Sequence, residues 1–189
     1  NLWSCGRNNH GQLGLGHFEL RLSTLQRVPL QRGMAVRSLA CGQAHTCVVT
    51  AEGALWGCGC NEFGQLGNDA EMPLNRTTRE ACASLRLAAG MGTGGTASAL
   101  IGPISQVSCG QHHTCVVGEG GVWTCGNGLV GQLGISVKRE MVAKLTRTDD
   151  SHLVSYTQPG TAVLASQLAC GKANSFVISQ RGELFATGG

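Results

Sequence analysis

Cysteine and histidine are the residues of this sequence that could do chemistry together. Cys41, His45, Cys47 and Cys58 stand close to one another along the chain. Thiolate and imidazole groups are the ligands that structural zinc sites use most often. The four residues are therefore a candidate zinc site, and the ten cysteines of the chain also raise the alternative of disulfide bonds.

The internal repeats of the chain argue against both interpretations. At the positions equivalent to these four residues, a later copy of the same segment has Cys170, Asn174, Phe176 and Thr187. Three of the four ligands are replaced by residues of unlike chemistry, and Cys170 has no cysteine to pair with inside its copy. We therefore predict no metal, no cofactor and no disulfide. Free cysteines packed as small hydrophobic side chains indicate a reducing, intracellular compartment, either nucleus or cytoplasm.

Two cysteines depart from the repeated pattern. Cys60 follows Cys58 after a single glycine, and Cys82 has no counterpart in the other copies. We interpret both as incidental thiols, with a redox or modification role as the alternative.

Histidine recurs at one place in two copies, as His45 and His113. A catalytic base would then be needed in two separate repeats, so we expect structural hydrogen bonds to neighbouring backbone groups, which Asn174 can replace in a further copy. His112 does not recur and is the more interesting residue for function, although a structural role is expected there too. The sequence has no phosphate-binding loop, no Gly-x-Ser-x-Gly elbow and no paired carboxylates, so we predict no catalytic residue.

The elements that carry these residues are pairs of short strands that recur along the chain. The first strand segments cover residues 40–49, 108–117 and 169–178, and each is followed by a second strand that contains an aromatic residue. Links ending in glycine join the two, as expected of hairpins whose last loop residue takes φ > 0. A Gly-Gln-Leu-Gly turn follows the second strand in three copies. The repeated structural positions are Trp3, Gly11, Gly14, Cys41, Gly42, His45, Gly53, Trp56, Gly64, Gly67, Cys109, Gly110, His113, Gly121, Trp123, Gly131, Gly134, Cys170, Gly171, Gly182 and Phe185.

The spacing of the repeated aromatic residues predicts a β-propeller. Trp3, Trp56, Trp123 and Phe185 are separated by 53, 67 and 62 residues, which suits a four-stranded blade with insertions. A blade cannot bury both of its faces alone, so neighbouring blades must stack and the ring must close. We predict one all-β domain, a partial β-propeller of about three and a half blades, which is too few to close a ring.

The order of the motifs identifies a family. Cys-Gly-x-x-His-Thr, then Leu/Val-Trp-x-Cys-Gly, then Gly-Gln-Leu-Gly resembles the repeats of the regulator of chromosome condensation family. The resemblance places repeat units near 1–39, 40–107, 108–168 and 169–189. It implies a propeller that is typically seven-bladed. Because the first residue falls inside a motif, we expect further sequence upstream.

Two insertions, 68–106 and 135–167, interrupt the repeats. Within the first, residues 88–102 are rich in Gly, Ala and Thr, which predicts a flexible surface loop. Within the second, residues 135–160 mix charged and apolar side chains. That mixture predicts a solvated insert, with a short helix or an interaction loop as the alternative.

Composition limits the partners. The 29 glycines and the low share of charged residues, 13%, favour an all-β protein with tight turns. The net charge of +3 is small and scattered, so this segment is not expected to bind nucleic acid or chromatin. No apolar run is long enough for a membrane span, and no signal peptide is seen.

Three functions remain open for such a propeller. The first is a scaffold for protein–protein interaction, because propellers display variable loops on two faces. The second, implied by the resemblance, is guanine nucleotide exchange on a Ran-like small GTPase, which founding members of the family perform alongside chromatin binding. Exchange needs a binding surface rather than a catalytic triad. The third is a propeller domain within a larger ligase, kinase or ciliary protein.

Overall fold

Thirteen β-strands make up the described part of the structure, a computed structural model that describes residues 1–68, 81–89, 101–119, 121–136, 140–148 and 164–189. Within these ranges no helix is long and apolar enough to cross a membrane. The strands are β1 (Trp3–Arg7), β2 (Arg21–Arg27), β3 (Val36–Cys41), β4 (His45–Thr50), β5 (Leu55–Cys60), β6 (Ala81–Ala89), β7 (Gln106–Cys109), β8 (His113–Gly118), β9 (Gly121–Gly126), β10 (Val142–Arg147), β11 (Ala165–Cys170), β12 (Asn174–Ser179) and β13 (Leu184–Gly188).

The strands form four antiparallel sheets, which we call blades I to IV. Blade I is β1-β2, blade II is β3-β4-β5-β6, blade III is β7-β8-β9-β10, and blade IV is β11-β12-β13. In every blade each strand pairs with the next one along the chain, which is the up-and-down order of a propeller blade. Blades II and III confirm the predicted four-stranded unit.

The predicted hairpins lie at the centre of the blades. In blade II, β4 and β5 pair so that His45 lies opposite Gly59 and Val48 opposite Trp56. The link between these strands ends at Gly53, whose φ of 81° is one that other L-residues rarely adopt. The equivalent glycines also have positive φ, so the prediction for the last loop residue is confirmed in three blades.

The hydrophobic core lies between the blades rather than inside each one. Buried side chains of blade II, among them Cys47 and Leu55, pack with Val116 and Trp123 of blade III in a single cluster. A smaller cluster at the next seam contains Val122 of blade III together with residues of blade IV. Each blade is therefore stabilised by its neighbours, as expected of stacked repeats.

The Gly-Gln-Leu-Gly turns also join neighbouring blades. A Cβ atom at Gly11 of blade I would lie 2.5 Å from Cα of Ala83 in β6, and one at Gly64 of blade II would overlap Ala143 in β10. Both glycines have positive φ. Glycine is thus required twice over, for the backbone conformation and for the close approach to the outermost strand of the following blade.

The outermost strands correct the sequence analysis. Strand β10 lies in the segment for which we expected a solvated insert, a short helix or a loop, and β6 includes Ala88 from the predicted surface loop. Ile101, near the other end of that loop, is buried. Leu145 is the only fully buried side chain of β10, so the sequence of this strand alternates little between apolar and polar residues. The remaining parts of the two predictions, at 90–100, 137–139 and 149–160, fall outside the described residues.

Candidate functional site

A buried hydroxyl group links blades II and III. Thr114 in β8 donates its Oγ1 hydrogen to the backbone carbonyl of Gln65, 2.7 Å away, in the Gly-Gln-Leu-Gly turn of blade II. Nε2 of His45 lies 3.0 Å from the same hydroxyl oxygen. A threonine hydroxyl has one proton, which the carbonyl accepts, so Nε2 must carry the proton of the neutral ring and donate it. The seam is held by a chain of hydrogen bonds from imidazole to hydroxyl to carbonyl.

Two thiols complete this group. The Sγ atoms of Cys47 and Cys109 lie 3.9 Å and 3.8 Å from Oγ1 of Thr114. A ring nitrogen of His45 and the two sulfurs are all within 4.8 Å of one another. We call His45, Cys47, Cys109 and Thr114 the first seam cluster.

The seam between blades III and IV repeats the arrangement. Ser175 donates its hydroxyl to the carbonyl of Gln132 at 2.8 Å, and Nε2 of His113 lies 2.9 Å from Oγ of Ser175. The Sγ atoms of Cys115 and Cys170 lie 3.4 Å and 3.9 Å from that oxygen. We call His113, Cys115, Cys170 and Ser175 the second seam cluster. The same chemistry recurring one blade further on shows that it belongs to the repeat.

A glycine makes room for each imidazole ring. A Cβ atom on Gly42 would overlap the ring of His45, and one on Gly110 would overlap the ring of His113. The Cys-Gly-x-x-His spacing therefore positions the ring directly over the glycine that precedes it by three residues. From there its Nε2 reaches the next blade.

Two residues of the first seam cluster have pKa shifts that favour their neutral forms. The pKa of His45 is lowered to about 4, mainly by burial and to a smaller extent by the nearby His113 and His112. The hydrogen bond with Cys47, together with burial, raises the pKa of the Cys109 thiol well above its ordinary value. A cysteine nucleophile activated by histidine needs the opposite shifts, a thiolate beside an imidazolium. This cluster therefore does not have the electrostatics of a Cys–His catalytic pair.

In the second seam cluster the pKa values of the two thiols are shifted in opposite directions. The hydrogen bond between Cys115 and Cys170 raises the pKa of the buried Cys115 thiol well above its ordinary value. The same bond, against the effect of burial, lowers the pKa of the half-buried Cys170 thiol to about 5. Of this pair Cys170 loses its proton first.

The structure does not bring together the four residues that the sequence suggested as zinc ligands. His45 and Cys47 meet Cys109 of the next blade, whereas the Cys58 thiol lies 3.5 Å from the carbonyl of Gln12 at the preceding seam. Cys41 lies at the same seam as Cys58. The four candidates all belong to one copy of the repeat, while the observed cluster joins two copies.

The prediction that the repeated histidines bond to neighbouring backbone groups was wrong. Both rings bond to a side-chain hydroxyl of the following blade rather than to a backbone group. The sequence did contain a signal for this contact, because each histidine or its asparagine counterpart is followed by a hydroxyl residue, Thr46, Thr114 or Ser175. At the first seam, Thr46 likewise donates to the carbonyl of Gln12 at 2.8 Å.

The turns at one end of the blades form a more varied surface. The ring of Phe63, in the Gly-Gln-Leu-Gly turn region of blade II, contacts the ring of His112 in blade III, with centroids 5.0 Å apart. Burial lowers the pKa of His112, while the charge of nearby Glu62 raises it to a lesser extent. His112, the histidine that does not recur, therefore lies at the boundary of blades II and III, among the turns at one end of the blades.

Comparisons with known proteins agree with this geometry. Residues 1–49 and 36–65 match the Regulator of chromosome condensation (RCC1) repeat. The chain is 38% identical over 136 residues to the Secretion-regulating guanine nucleotide exchange factor of Bos taurus, covering 71% of this chain and 26% of that protein. It is 35% identical over 133 residues to the Probable E3 ubiquitin-protein ligase HERC3 of Homo sapiens, covering 70% of this chain and 11% of that protein.

Solved structures show the same fold. Human WBSCR16 superposes with a TM-score of 0.76 at 24% identity, over 98% of this chain and 42% of that one. Prp20p from Saccharomyces cerevisiae superposes with a TM-score of 0.72 at 18% identity, over 98% of this chain and 39% of that one. The chain thus spans less than half of either structure. It is built of regulator of chromosome condensation repeats and belongs to that family of β-propellers as a partial, all-β propeller.

Proposed function

We propose that this chain is part of a propeller that binds another protein and performs no side-chain chemistry on it. One observation carries the proposal. The repeated histidine, cysteine and hydroxyl residues of the seam clusters make contacts between blades, whereas residues that differ between copies, such as Phe63 and His112, lie at the turns. A surface that varies from blade to blade on a uniform scaffold is typical of a binding module.

The turn surface is held together by backbone hydrogen bonds. In blade II the amide of Cys60 donates to the carbonyl of Ala44 at 2.7 Å, and in blade III the amide of Asn127 donates to that of His112 at 2.8 Å. The amide of Gln111 donates to the carbonyl of Lys172 in blade IV at 3.1 Å. These bonds preorganise the turns, so a partner would meet a surface that loses little entropy on binding.

Phe63 and His112 are two residues of this surface that vary between copies. Val130 stands where Phe63 does in another copy, and Ala44 and Ala173 stand where His112 does. The double variant Phe63→Val/His112→Ala therefore introduces only residues that the repeat already carries at these places. It removes the aromatic pair with little expected effect on folding.

The test compares proteins captured by the full-length wild type, by the double variant and by Glu52→Gln, which alters an exposed link at the opposite end of blade II. Quantitative mass spectrometry is expected to show at least one partner that the double variant loses and the control retains. Loss of every partner by the control alone would place the binding surface at the opposite end and contradict the proposal.

Nucleotide exchange on a small GTPase is the second candidate. The similarity to the Secretion-regulating guanine nucleotide exchange factor favours it, and Prp20p, which shares the fold, has binding properties to Gsp1p and histones. Release of a fluorescent nucleotide from a panel of small GTPases, with full-length protein and an unrelated propeller as control, separates the two functions. Accelerated release from one GTPase would support exchange, and no release by folded protein would support the scaffold.

The ten cysteines all lie among the described residues and are free thiols. We take this as support for a reducing, intracellular compartment, since oxidising compartments favour disulfides. Imaging of the tagged full-length protein would test this proposal.

A further inference from the structure

The two seam clusters bring candidate metal ligands close together, because in each one a histidine ring nitrogen and two cysteine sulfurs lie within 4.8 Å of one another. Each offers one imidazole nitrogen, two thiols and one hydroxyl oxygen. In a tetrahedral zinc site with bonds of about 2.0–2.3 Å, neighbouring ligand atoms stand about 3.3–3.8 Å apart. The hydroxyl oxygen of the first cluster lies 3.0, 3.9 and 3.8 Å from the nitrogen and the two sulfurs, and that of the second lies 2.9, 3.4 and 3.9 Å from its partners, so two of the six distances are within that range and four are just outside it.

We propose that each seam cluster binds one divalent, thiol-seeking cation of the zinc type, with His45, Cys47, Cys109 and Thr114 as ligands at one seam and His113, Cys115, Cys170 and Ser175 at the next. Such sites would lie between blades and join them. They go beyond the proposed binding function, and either could hold without the other.

Charge explains why the cation is divalent. Both sulfurs bind as thiolates, so the charges of one M²⁺ and two thiolates add up to zero at the seam. A monovalent cation would leave a net negative charge buried there, which is costly. The balanced step is M²⁺ plus two thiols giving the bound dithiolate plus two protons, or one proton where one sulfur is already a thiolate, with no change in oxidation state.

The hydrogen bonds around the cluster allow this binding. Thr114 can keep its bond to the carbonyl of Gln65 and present an oxygen lone pair to the cation. His45 must move its ring proton from Nε2 to Nδ1, an atom that is buried and has no hydrogen-bond partner among the described residues. The missing partner weakens binding, since ligating histidines usually donate their other N–H. Two thiolates compensate as the stronger ligands.

The repeat also predicts where binding stops. In blade IV, Asn174 and Phe176 occupy the positions of the histidine and the first cysteine. Neither a primary amide nor a phenyl ring replaces these ligands. Among the described residues the stoichiometry is therefore two cations per chain, which agrees with the two groups of histidine and cysteine that lie close enough to share an ion.

The experiment titrates the reduced full-length protein, freed of metal by a chelator, with Co²⁺ and then with Zn²⁺. We expect the absorption bands of tetrahedral Co²⁺ and of thiolate-to-cobalt charge transfer, two cations bound within this segment, and one proton released from each cysteine that is still a thiol before binding. Zn²⁺ should bleach the bands and raise the melting temperature. A folded wild type that gives no thiolate band would overturn the proposal without recourse to any variant.

Matched variants assign the sites. Cys47→Ser and Cys115→Ser should each reduce the stoichiometry in this segment from two to one, and together to none. Cys60→Ser, at a buried cysteine outside both clusters, should leave it at two. A stoichiometry that changes with Cys60→Ser but not with the other two would place the cation elsewhere and refute the assignment.

Discussion

The same motif has different surroundings in blade II, which packs against the four strands of blade III, and in blades III and IV, where blade IV has three strands among the described residues. At the seam, a Cβ atom on Gly64 would overlap Ala143, and Leu55 is fully buried, with 0% of its surface exposed. In the later copies, a Cβ atom on Gly131 would meet nothing within 4 Å, and Leu184, the counterpart of Leu55, is 66% exposed.

The difference shows which part of the motif acts locally. Glycine at the turn and the hairpin between the two central strands form in both places, so they are set by the local sequence. Burial of the leucine and close packing at the glycine require the next blade. The hairpin and turn of each repeat thus form from the local sequence, but their stability depends on contacts with the next blade, as is typical of stacked repeats.

The largest expected loss of stability follows substitution of a turn glycine. Gly64→Ala adds a methyl group that collides with the backbone of Ala143 and also strains a positive φ, so it should reduce the free energy of unfolding by about 3–5 kcal/mol. Gly131→Ala strains φ alone and should cost about 1–2 kcal/mol. Urea unfolding of both variants measures the difference, and equal losses would show that the contact with β10 contributes nothing.

The second test concerns the paired leucines. Leu55→Ala leaves a cavity in the cluster between blades II and III, and the expected loss is about 2–5 kcal/mol. Leu184→Ala removes an exposed side chain and should change stability by about 0.5 kcal/mol or less. Thermal and urea unfolding report both. A large loss at Leu184 in the full-length protein would show that a further strand or blade covers it there.

The third test uses pH. The pKa of about 4 at His45 lies below the ordinary 6.5, so the unfolded chain binds the proton first. The contribution of His45 to stability is therefore complete above about pH 6.5 and is lost as the pH falls towards 4, by about 3 kcal/mol in all. His45→Asn, which introduces the residue that blade IV carries as Asn174, lacks this titration. In chelator, the advantage of the wild type over this variant should shrink across that range, and a constant advantage would contradict the burial of a neutral ring.

The sequence predicted what is local and missed what spans two blades. Glycines such as Gly53 were recognised because a hairpin needs a positive φ within a few residues, and the structure has it. Strand β10 was missed because Leu145 is its only fully buried side chain, so its sequence has little apolar alternation. The bond between His45 and Thr114 was missed because its partners are 69 residues apart and belong to different copies, although a hydroxyl residue follows each repeated histidine in the sequence.

The smallest expected effect concerns that bond. Thr114→Val keeps the shape of the side chain but leaves Nε2 of His45 and the carbonyl of Gln65 without their shared partner, which should cost about 1–3 kcal/mol. Thr114→Ser keeps the hydroxyl, as Ser175 does at the next seam, and should cost less than about 1 kcal/mol. Urea unfolding of the two variants separates loss of a hydrogen bond from loss of a methyl group. An equal loss of stability in Thr114→Ser and Thr114→Val would show that packing, and not the hydroxyl hydrogen bond, joins the blades. The imidazole of His45 would then stabilise the seam by its volume and not as a hydrogen-bond donor.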